Sequence, residues 1–234
     1  MQKDNNKPKN ILMVIRILAS LLIFFMLIFG SAGRLDYWQG WIYYSIYLGF
    51  IGIFLYKYIT DTAFKDLVKE RMKPGPGTKW WDKIFYIMYI PFSMITIFLS
   101  VLDAGRFDWA LKVPISIYII SCILYILSIG FVSWAMWTNR FFSSMVRIQT
   151  DRGHQVIQTG PYQYLRHPGY AGAIVWWLTT PLVLGSILGC IPTSIIILGF
   201  IIRTVLEDRT LQKELPGYQE YTQKVKYRLF PKIW

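Results

Sequence analysis

Two groups of polar residues in this sequence have types and spacings that could support chemistry. The first runs from His154 to Tyr170 and contains both histidines of the chain, two prolines, two glycines and three tyrosines. The second is Arg203 and Glu207, which are four residues apart and share a face if the segment is helical. A guanidinium, a carboxylate, imidazoles and phenols brought together could bind a ligand rich in hydrogen-bonding groups.

The backbone of the first group is predicted to be irregular. Gly160-Pro161 favours a turn, and Pro168 disfavours helical geometry at His167, so residues 159–169 should not form a continuous helix. Irregular backbone near a bilayer is tolerated where it is buried in protein or lines a cavity. The alternative is a simple re-entry turn whose tyrosines and arginine anchor it at the lipid headgroups.

The composition indicates that these groups lie beside a membrane. The chain is 54% hydrophobic, 18% aromatic and only 16% charged, which is outside the range of soluble domains. Its charges leave stretches long enough to cross the hydrocarbon as helices. The predicted fold class is therefore an all-α polytopic membrane protein with about six transmembrane helices, at residues 11–30, 39–59, 84–102, 113–137, 171–188 and 193–206.

The last two spans are predicted to form a C-terminal helical hairpin, because the turn at residues 189–192 is very short. The chain would leave the first polar group along one helix and return along the next. This hairpin would place Arg203 and Glu207 beside His167 and Tyr170, in one pocket formed with the cytoplasmic loops. The alternative for the arginine and glutamate is an exposed salt bridge within one helix, which contributes little.

Several features of the N-terminal half support the same topology. A polar tail at residues 1–10 precedes a first helix with no small-residue cleavage site, so a retained helix is expected, with Arg16 reaching the headgroups. Pro74 to Gly77 interrupts the charged connection at 60–83, and Pro91 is a predicted kink. We divide the chain into an N-terminal four-helix membrane region, 1–137, and a core at 138–234.

The distribution of basic residues predicts the orientation. All but four of the 25 Lys and Arg residues fall in the two tails and in the loops after the second and fourth spans. Only Arg34, Arg106 and Lys112 fall on the opposite side. By the positive-inside rule both termini and the polar pocket are predicted to be cytoplasmic. The net charge of +12 then reflects topology and anionic membrane lipid as a partner, rather than nucleic acid.

Other site classes find no support in the sequence. The two histidines have no cysteine or carboxylate at zinc-ligand spacing, so no metal is predicted. Neither a phosphate-binding Gly-Lys-Ser loop nor a Gly-x-Ser-x-Gly elbow is present. No feature indicates an obligate protein partner.

An ordered series of motifs over roughly residues 141–231 is more specific than any single motif. The series is Gly160-Pro161-Tyr162, Arg166-His167-Pro168-Gly169-Tyr170-Ala171-Gly172, Arg203…Glu207-Asp208…Leu211, Gly217-Tyr218-Gln219-Glu220-Tyr221 and Tyr227-Arg228-Leu229-Phe230-Pro231. In this series the chain resembles the isoprenylcysteine carboxyl methyltransferase family and its bacterial and archaeal relatives. The N-terminal spans match that family only as hydrophobic helices.

The resemblance implies a membrane methyltransferase that uses S-adenosyl-L-methionine without a Rossmann sheet. It implies Arg203 and Glu207 as catalytic residues, with Arg203 binding the substrate and orienting its carboxylate. The implied cofactor-binding residues are His154, Gln155, Val156, Ile157, Tyr162, His167, Pro168, Gly169, Tyr170 and Glu207. Arg147 and Gln149 lie near another cofactor position. The family often has a second glutamate where this chain has Asp208, so the role of Asp208 stays open.

The acceptor implied is a lipophilic small molecule or a prenylated one, and the family's eukaryotic substrate is a prenylcysteine carboxylate. Methylation of a phospholipid or amine nitrogen is an alternative. A membrane reductase using NADPH, like sterol reductases with a related C-terminal region, is another. A non-catalytic protein that binds lipid is the third.

Overall fold

The fold is described from a computed structural model, which covers residues 7–71 and 77–234 and, among their side chains, those from residue 15 onward except residue 16. Within these ranges the chain is helical and contains no β-strand, which confirms the predicted all-α class. The predictions for residues 1–6, for the side chain of Arg16 and for Pro74 to Pro76 lie outside what is described, whereas residues 7–10 of the predicted polar tail are helical.

Eight α-helices follow one another along the described residues. α1 continues into a π-helical turn at Met26–Gly30, and α4 continues into one at Leu102–Phe107. Short 3₁₀ turns lie at Thr150–Arg152 and Gly160–Gln163. The helices are α1 Lys7–Phe25, α2 Trp38–Thr60, α3 Thr62–Arg71, α4 Trp80–Val101, α5 Ile115–Thr138, α6 Pro168–Val183, α7 Cys190–Glu214 and α8 Tyr218–Lys224.

Four segments are long and apolar enough to cross a membrane, so the chain is an integral membrane protein. They are Trp38–Thr60, Trp80–Phe107, Ile115–Thr138 and Cys190–Glu214. Their lipid-facing surfaces carry large exposed apolar side chains such as Ile117, Ile120 and Leu127. The remaining predicted spans are shorter here: Ile17–Gly30 is a shorter apolar helix, and α6 has 16 residues, about 24 Å of helix against ~30 Å of hydrocarbon.

The C-terminal hairpin forms as predicted, although its turn lies earlier. α6 packs against both α5 and α7, and α7 also packs against α4. Close packing of α6 on α5 requires Gly172, since a Cβ there would lie 2.6 Å from Val132 Cγ2. The chain turns at residues 184–189, and α7 begins at Cys190. Pro192 therefore lies in the first helical turn, where its missing N–H costs no hydrogen bond, rather than in the connecting turn.

Two further helices occur where the sequence predicts only polar connections. α3 forms within the charged connection at 60–83, because an apolar face made by Phe64 and Leu67 packs against Met136 of α5. α8 follows Gly217, whose φ of +81° permits the turn after α7. Its Tyr218 and Tyr221 pack with Leu215 and Val225 in a small core, against which Ile148 and Val156 of the loop after α5 also pack.

Candidate functional site

A cavity opens where the loop after α5, the start of α6, the end of α7 and α8 meet. It encloses about 810 Å³ of space not filled by atoms, a figure that includes open solvent at its mouth. Its wall combines aromatic rings with a few polar groups, as ligand sites usually do. The wall includes Asn139, Phe141, Phe142, Arg147, Gln149, Leu211, Leu215, Tyr218 and Tyr221.

Most of the residues singled out from the sequence lie in this wall. They are His154, Gln155, Val156, Ile157, Tyr162, His167, Gly169, Tyr170 and Glu207. Pro168 is not among the wall residues and instead starts α6 at its first helical position, where proline is favoured. Arg203 is not in the wall either and lies buried beside it.

Gly169 allows the start of α6 to approach the loop after α5. A Cβ at this position would lie 2.7 Å from Cε2 of Phe142, which is too close for any other residue without a shift of that ring. Gly160, at the preceding turn, has a φ of +56° and a neighbouring Thr138 that leave no room for a side chain. The two glycines thus fix how the irregular segment meets α5 and closes one side of the cavity.

Glu207 and Tyr170 meet at the cavity wall. The Tyr170 hydroxyl donates a hydrogen bond to Oε2 of Glu207, and Tyr170 stacks parallel to His167 with ring centroids 5.7 Å apart. Glu207 is half-buried, and none of the ion pairs within the described residues involves it. Its carboxylate is therefore a negative charge available to a ligand in the cavity.

Asp208, the next residue, has the opposite environment and is completely buried. Its carboxylate accepts from Tyr218 at 3.1 Å, from Gln212 at 2.8 Å and from Nε of Arg228 at 2.9 Å. Nε2 of His167 lies 3.3 Å from Oδ1, and the Arg166 guanidinium 3.4 Å from the same oxygen. We call these residues the Asp208 network; the network fixes the His167 loop against the C-terminal segment.

Backbone pairing reinforces that attachment. The N–H groups of Arg166 and His167 donate to the carbonyls of Tyr227 and Arg228, each at 3.0 Å. Burial, with the adjacent charge of Asp208, raises the pKa of the Tyr218 phenol, so Tyr218 stays protonated and remains a donor. The segment around Tyr227 thus supports the cavity wall, because it holds the backbone of Arg166 and His167 in place.

Arg203 belongs to a second buried network, and its ion pair is with Asp82 of α4 rather than with Glu207. Nε lies 2.9 Å from Oδ1 of Asp82, and Nη2 donates to the Ser144 carbonyl at 2.6 Å. The guanidinium also lies 4.5 Å from the Phe85 ring centroid and 5.1 Å from that of Tyr170. We call Arg203 and these neighbours the Arg203 network. Through Tyr170 this network contacts the same wall as Glu207. The predicted grouping of Arg203, Glu207, His167 and Tyr170 is therefore present.

Asp82 is fully buried, and its other oxygen accepts the Val146 N–H at 2.8 Å. Asp82 was not predicted as a site residue, because a lone aspartate near the start of a span is typical of the membrane–water interface. Asp208 was noticed only as a replacement for a glutamate. Complete burial identifies both, and no local sequence pattern carries that information.

The opposite wall is built around His154. Nδ1 of this histidine accepts the Gln149 N–H at 3.3 Å, so the proton of the neutral ring is on Nε2, and the ring lies 4.6 Å from that of Phe141. Burial, with the positive charges of Arg147 and Arg152, lowers the pKa of His154 to about 4. The ring is therefore neutral at physiological pH and can donate one hydrogen bond.

Two buried arginines of the wall have donors without partners. Nε of Arg147 and Nε of Arg166 make no hydrogen bond within the described residues, although both side chains line the cavity. A buried donor left unpaired costs about 1–3 kcal/mol, which a ligand carboxylate would recover. The cavity thus offers unpaired cationic donors as well as the Glu207 carboxylate.

Comparison with known proteins gives one consistent picture. Residues 119–213 match the model of the isoprenylcysteine carboxyl methyltransferase (ICMT) family. The chain is 30% identical over 89 residues to a probable protein-S-isoprenylcysteine O-methyltransferase of Oryza sativa subsp. indica, covering 37% of this chain and 47% of that protein. It is 30% identical over 115 residues, 46% of each chain, to the protein-S-isoprenylcysteine O-methyltransferase of Saccharomyces cerevisiae. The chain spans about half the length of the curated relatives it matches.

Proposed function

Because residues 119–213 match the model of the isoprenylcysteine carboxyl methyltransferase family, we propose that this membrane protein is an S-adenosyl-L-methionine-dependent methyltransferase of a lipophilic carboxylate. The observation that carries the proposal is the cavity, whose wall unites the predicted cofactor residues from three separate parts of the chain. We also propose that residues 138–234 form the catalytic core, that residues 1–137 form its membrane support, and that the cavity and both termini face the cytoplasm.

The chemistry of the cavity fits the methyl donor. The donor carries a sulfonium cation, an amino acid group, a ribose and an adenine. Glu207 and the faces of Tyr162 and Tyr170 suit the cation, and the unpaired Nε of Arg147 suits the carboxylate. Val156 and Ile157, with Phe141, offer an apolar surface for the base, while His154, Gln155 and the 167–169 backbone offer hydrogen-bonding groups.

When bound, S-adenosylmethionine supplies an electrophilic methyl group. A carboxylate acceptor is already ionised at neutral pH, so the chain needs no general base. The work of its residues is to bind, to align and to exclude water. Glu207 and the His167 loop hold the donor side, and Arg203, fixed by Asp82 and Ser144, holds the acceptor side.

The acceptor's lipophilic part has a path along the membrane. A groove lined only by apolar and aromatic groups runs between α4 and α7, formed by Phe85, Met88, Tyr89, Phe92, Ile195, Ile196 and Gly199. Phe85 of this groove contacts the Arg203 guanidinium. A hydrocarbon chain in the groove would therefore bring its polar end to Arg203, which supports a lipid-like or prenylated acceptor entering from the bilayer.

The test is calorimetric binding of S-adenosylmethionine to the detergent-purified chain, with Glu207→Gln as the variant. The variant is expected to lose about 10- to 100-fold in affinity, since an interaction with a charged group contributes roughly 1.5–3 kcal/mol. Glu220→Gln is the matched control, because Glu220 is exposed on α8 and should leave affinity unchanged. A folded wild-type protein that binds NADPH and not S-adenosylmethionine would contradict the proposal in favour of a reductase.

A further inference from the structure

Besides Arg203, a second arginine lies on the acceptor side of the site. This residue, Arg71, comes from the N-terminal half of the chain. Arg71 is the last residue of α3 and is half-buried. Its Nε donates to Oγ of Ser144 at 3.3 Å, and its guanidinium lies 5.0 Å from the ring centroid of Phe142. Its carbonyl accepts the Ser144 N–H at 3.4 Å. Main chain and side chain together hold Arg71 on the loop after α5.

Ser144 is also where Arg203 is held. Nη2 of Arg203 and the hydroxyl of Tyr86 both donate to the Ser144 carbonyl, each at 2.6 Å. Two guanidinium groups from opposite ends of the chain therefore meet at one serine. Phe142 and Ser143, immediately before it, line the donor cavity, so the two arginines lie next to the position of the methyl donor.

The charges around Ser144 do not balance. Asp82 pairs with Arg203, whereas no carboxylate of residues 15–71 or 77–234 lies within ion-pair distance of Arg71. Burial and the positive charge of Arg203 lower the pKa of Arg71, partly offset by nearby tyrosines. An arginine still keeps its proton at neutral pH. With Glu207 facing the donor's cation, the acceptor side has one positive charge in excess.

We propose that Arg71 binds the acceptor's carboxylate together with Arg203 and thereby selects an anionic acceptor over an uncharged one. The inference rests on the proposed methyltransferase function and names a specificity residue outside the family-matched segment. An excess positive charge that is partly desolvated attracts a carboxylate and repels an ammonium group. Because the charge of Arg203 is already paired with Asp82, Arg71 supplies the positive charge that is left for the acceptor's carboxylate.

The reaction that this arrangement favours is balanced without a proton. A carboxylate oxygen of the acceptor forms the new C–O bond as the methyl group's bond to the donor sulfur breaks. The sulfur keeps the electron pair, so sulfonium and carboxylate become a neutral thioether and a neutral ester. The ester has lost the charge that Arg71 binds, which favours release of product.

The test uses the full-length protein in detergent and two probes, an N-acetylated S-farnesyl cysteine and its carboxamide. Binding of each is measured with S-adenosylhomocysteine present. Wild type is expected to prefer the carboxylate by at least about tenfold, and Arg71→Met, which keeps an apolar stem over Phe142, should reduce this preference to roughly twofold. Arg71→Lys keeps the positive charge but not the planar guanidinium, which can bind a carboxylate with two hydrogen bonds. This variant should retain an intermediate preference.

Arg140→Met is the matched control, because Arg140 lies 4.7 Å from the Phe141 ring centroid but is exposed. It should leave the preference unchanged. Thermal unfolding and S-adenosylmethionine binding report on folding and on the donor site, and both should stay near wild type for Arg71→Lys. An unchanged preference for the carboxylate in both Arg71 variants would overturn this inference but not the proposed function. Failure of folded wild type to bind S-adenosylmethionine would overturn the proposed function and this inference with it.

Discussion

The Asp208 network and the Arg203 network lie little more than one helical turn apart on α7, yet they join different parts of the chain. Every partner of Asp208 comes from residues 166–228. The partners of Arg203 come from α4 and from the loop after α5. The first network joins segments within residues 166–228, and the second joins α7 to α4 and to the loop after α5.

Neighbouring charged residues on α7 thus have separate roles. Asp208 is completely buried, with each oxygen receiving several donors, which is the environment of a residue that maintains structure. Asp82 is as buried but, among the residues that the structure describes, receives only the Arg203 guanidinium and one backbone N–H. Its loss would therefore release one side chain, whereas the loss of Asp208 would release a whole loop and the C-terminal segment.

Replacing Asp208 with Asn should have the largest effect on stability. The change keeps the shape but removes the charge that Arg228 and the buried Arg166 need, and breaking such a buried pair costs about 3–5 kcal/mol. Denaturant unfolding in detergent measures the loss. Asp66→Asn is the control, since Asp66 is 72% exposed and pairs only with Lys69, and a change within about 0.5 kcal/mol is expected there. Wild-type stability in Asp208→Asn would show that the two networks do not differ in this way.

Replacing Asp82 with Asn should mainly affect turnover. Arg203 would keep the Ser144 carbonyl and its aromatic neighbours but lose the partner that fixes its Nε edge. Misplacement of a positioning group by about 1 Å can reduce the rate roughly 100-fold. We expect a fall of that order in kcat with S-adenosylmethionine affinity nearly unchanged. Equal losses in both quantities would mean that the Arg203 network supports the donor cavity as well, and the comparison would fail.

The two networks also differ in how far the sequence predicted them. The Gly160-to-Tyr170 motif, the hairpin and the pair on α7 were sufficient to predict that Arg203, Glu207, His167 and Tyr170 meet, because short connections leave few ways to arrange them. Asp82 and Arg71 could not be predicted, since their contacts with Arg203 and Ser144 join positions far apart in the chain. No periodicity or motif records such a pairing.

The same reasoning applies to the secondary structure. The long apolar spans of α2, α4, α5 and α7 were predictable from length and composition. α3 was not predictable, because it is stabilised by a short apolar face that is buried only by packing against Met136 of α5. The turn before α7 was misplaced by a few residues because Pro192 is as acceptable in a first helical turn as in a loop.

The smallest effect is expected at His154, which belongs to neither ionic network and has a neutral ring. Its pKa is lowered from 6.5 to about 4 in the folded protein, so between these values the unfolded chain binds the proton more strongly. Stability from this group is complete above pH 6.5 and is lost as pH falls towards 4. His154→Gln, which cannot be protonated, should have a flatter stability profile than wild type between pH 6.5 and 5, where most carboxylates are still ionised. Superimposable profiles would mean that the histidine is no more desolvated than in the unfolded chain, and the contrast between this neutral ring and the two ionic networks would not hold.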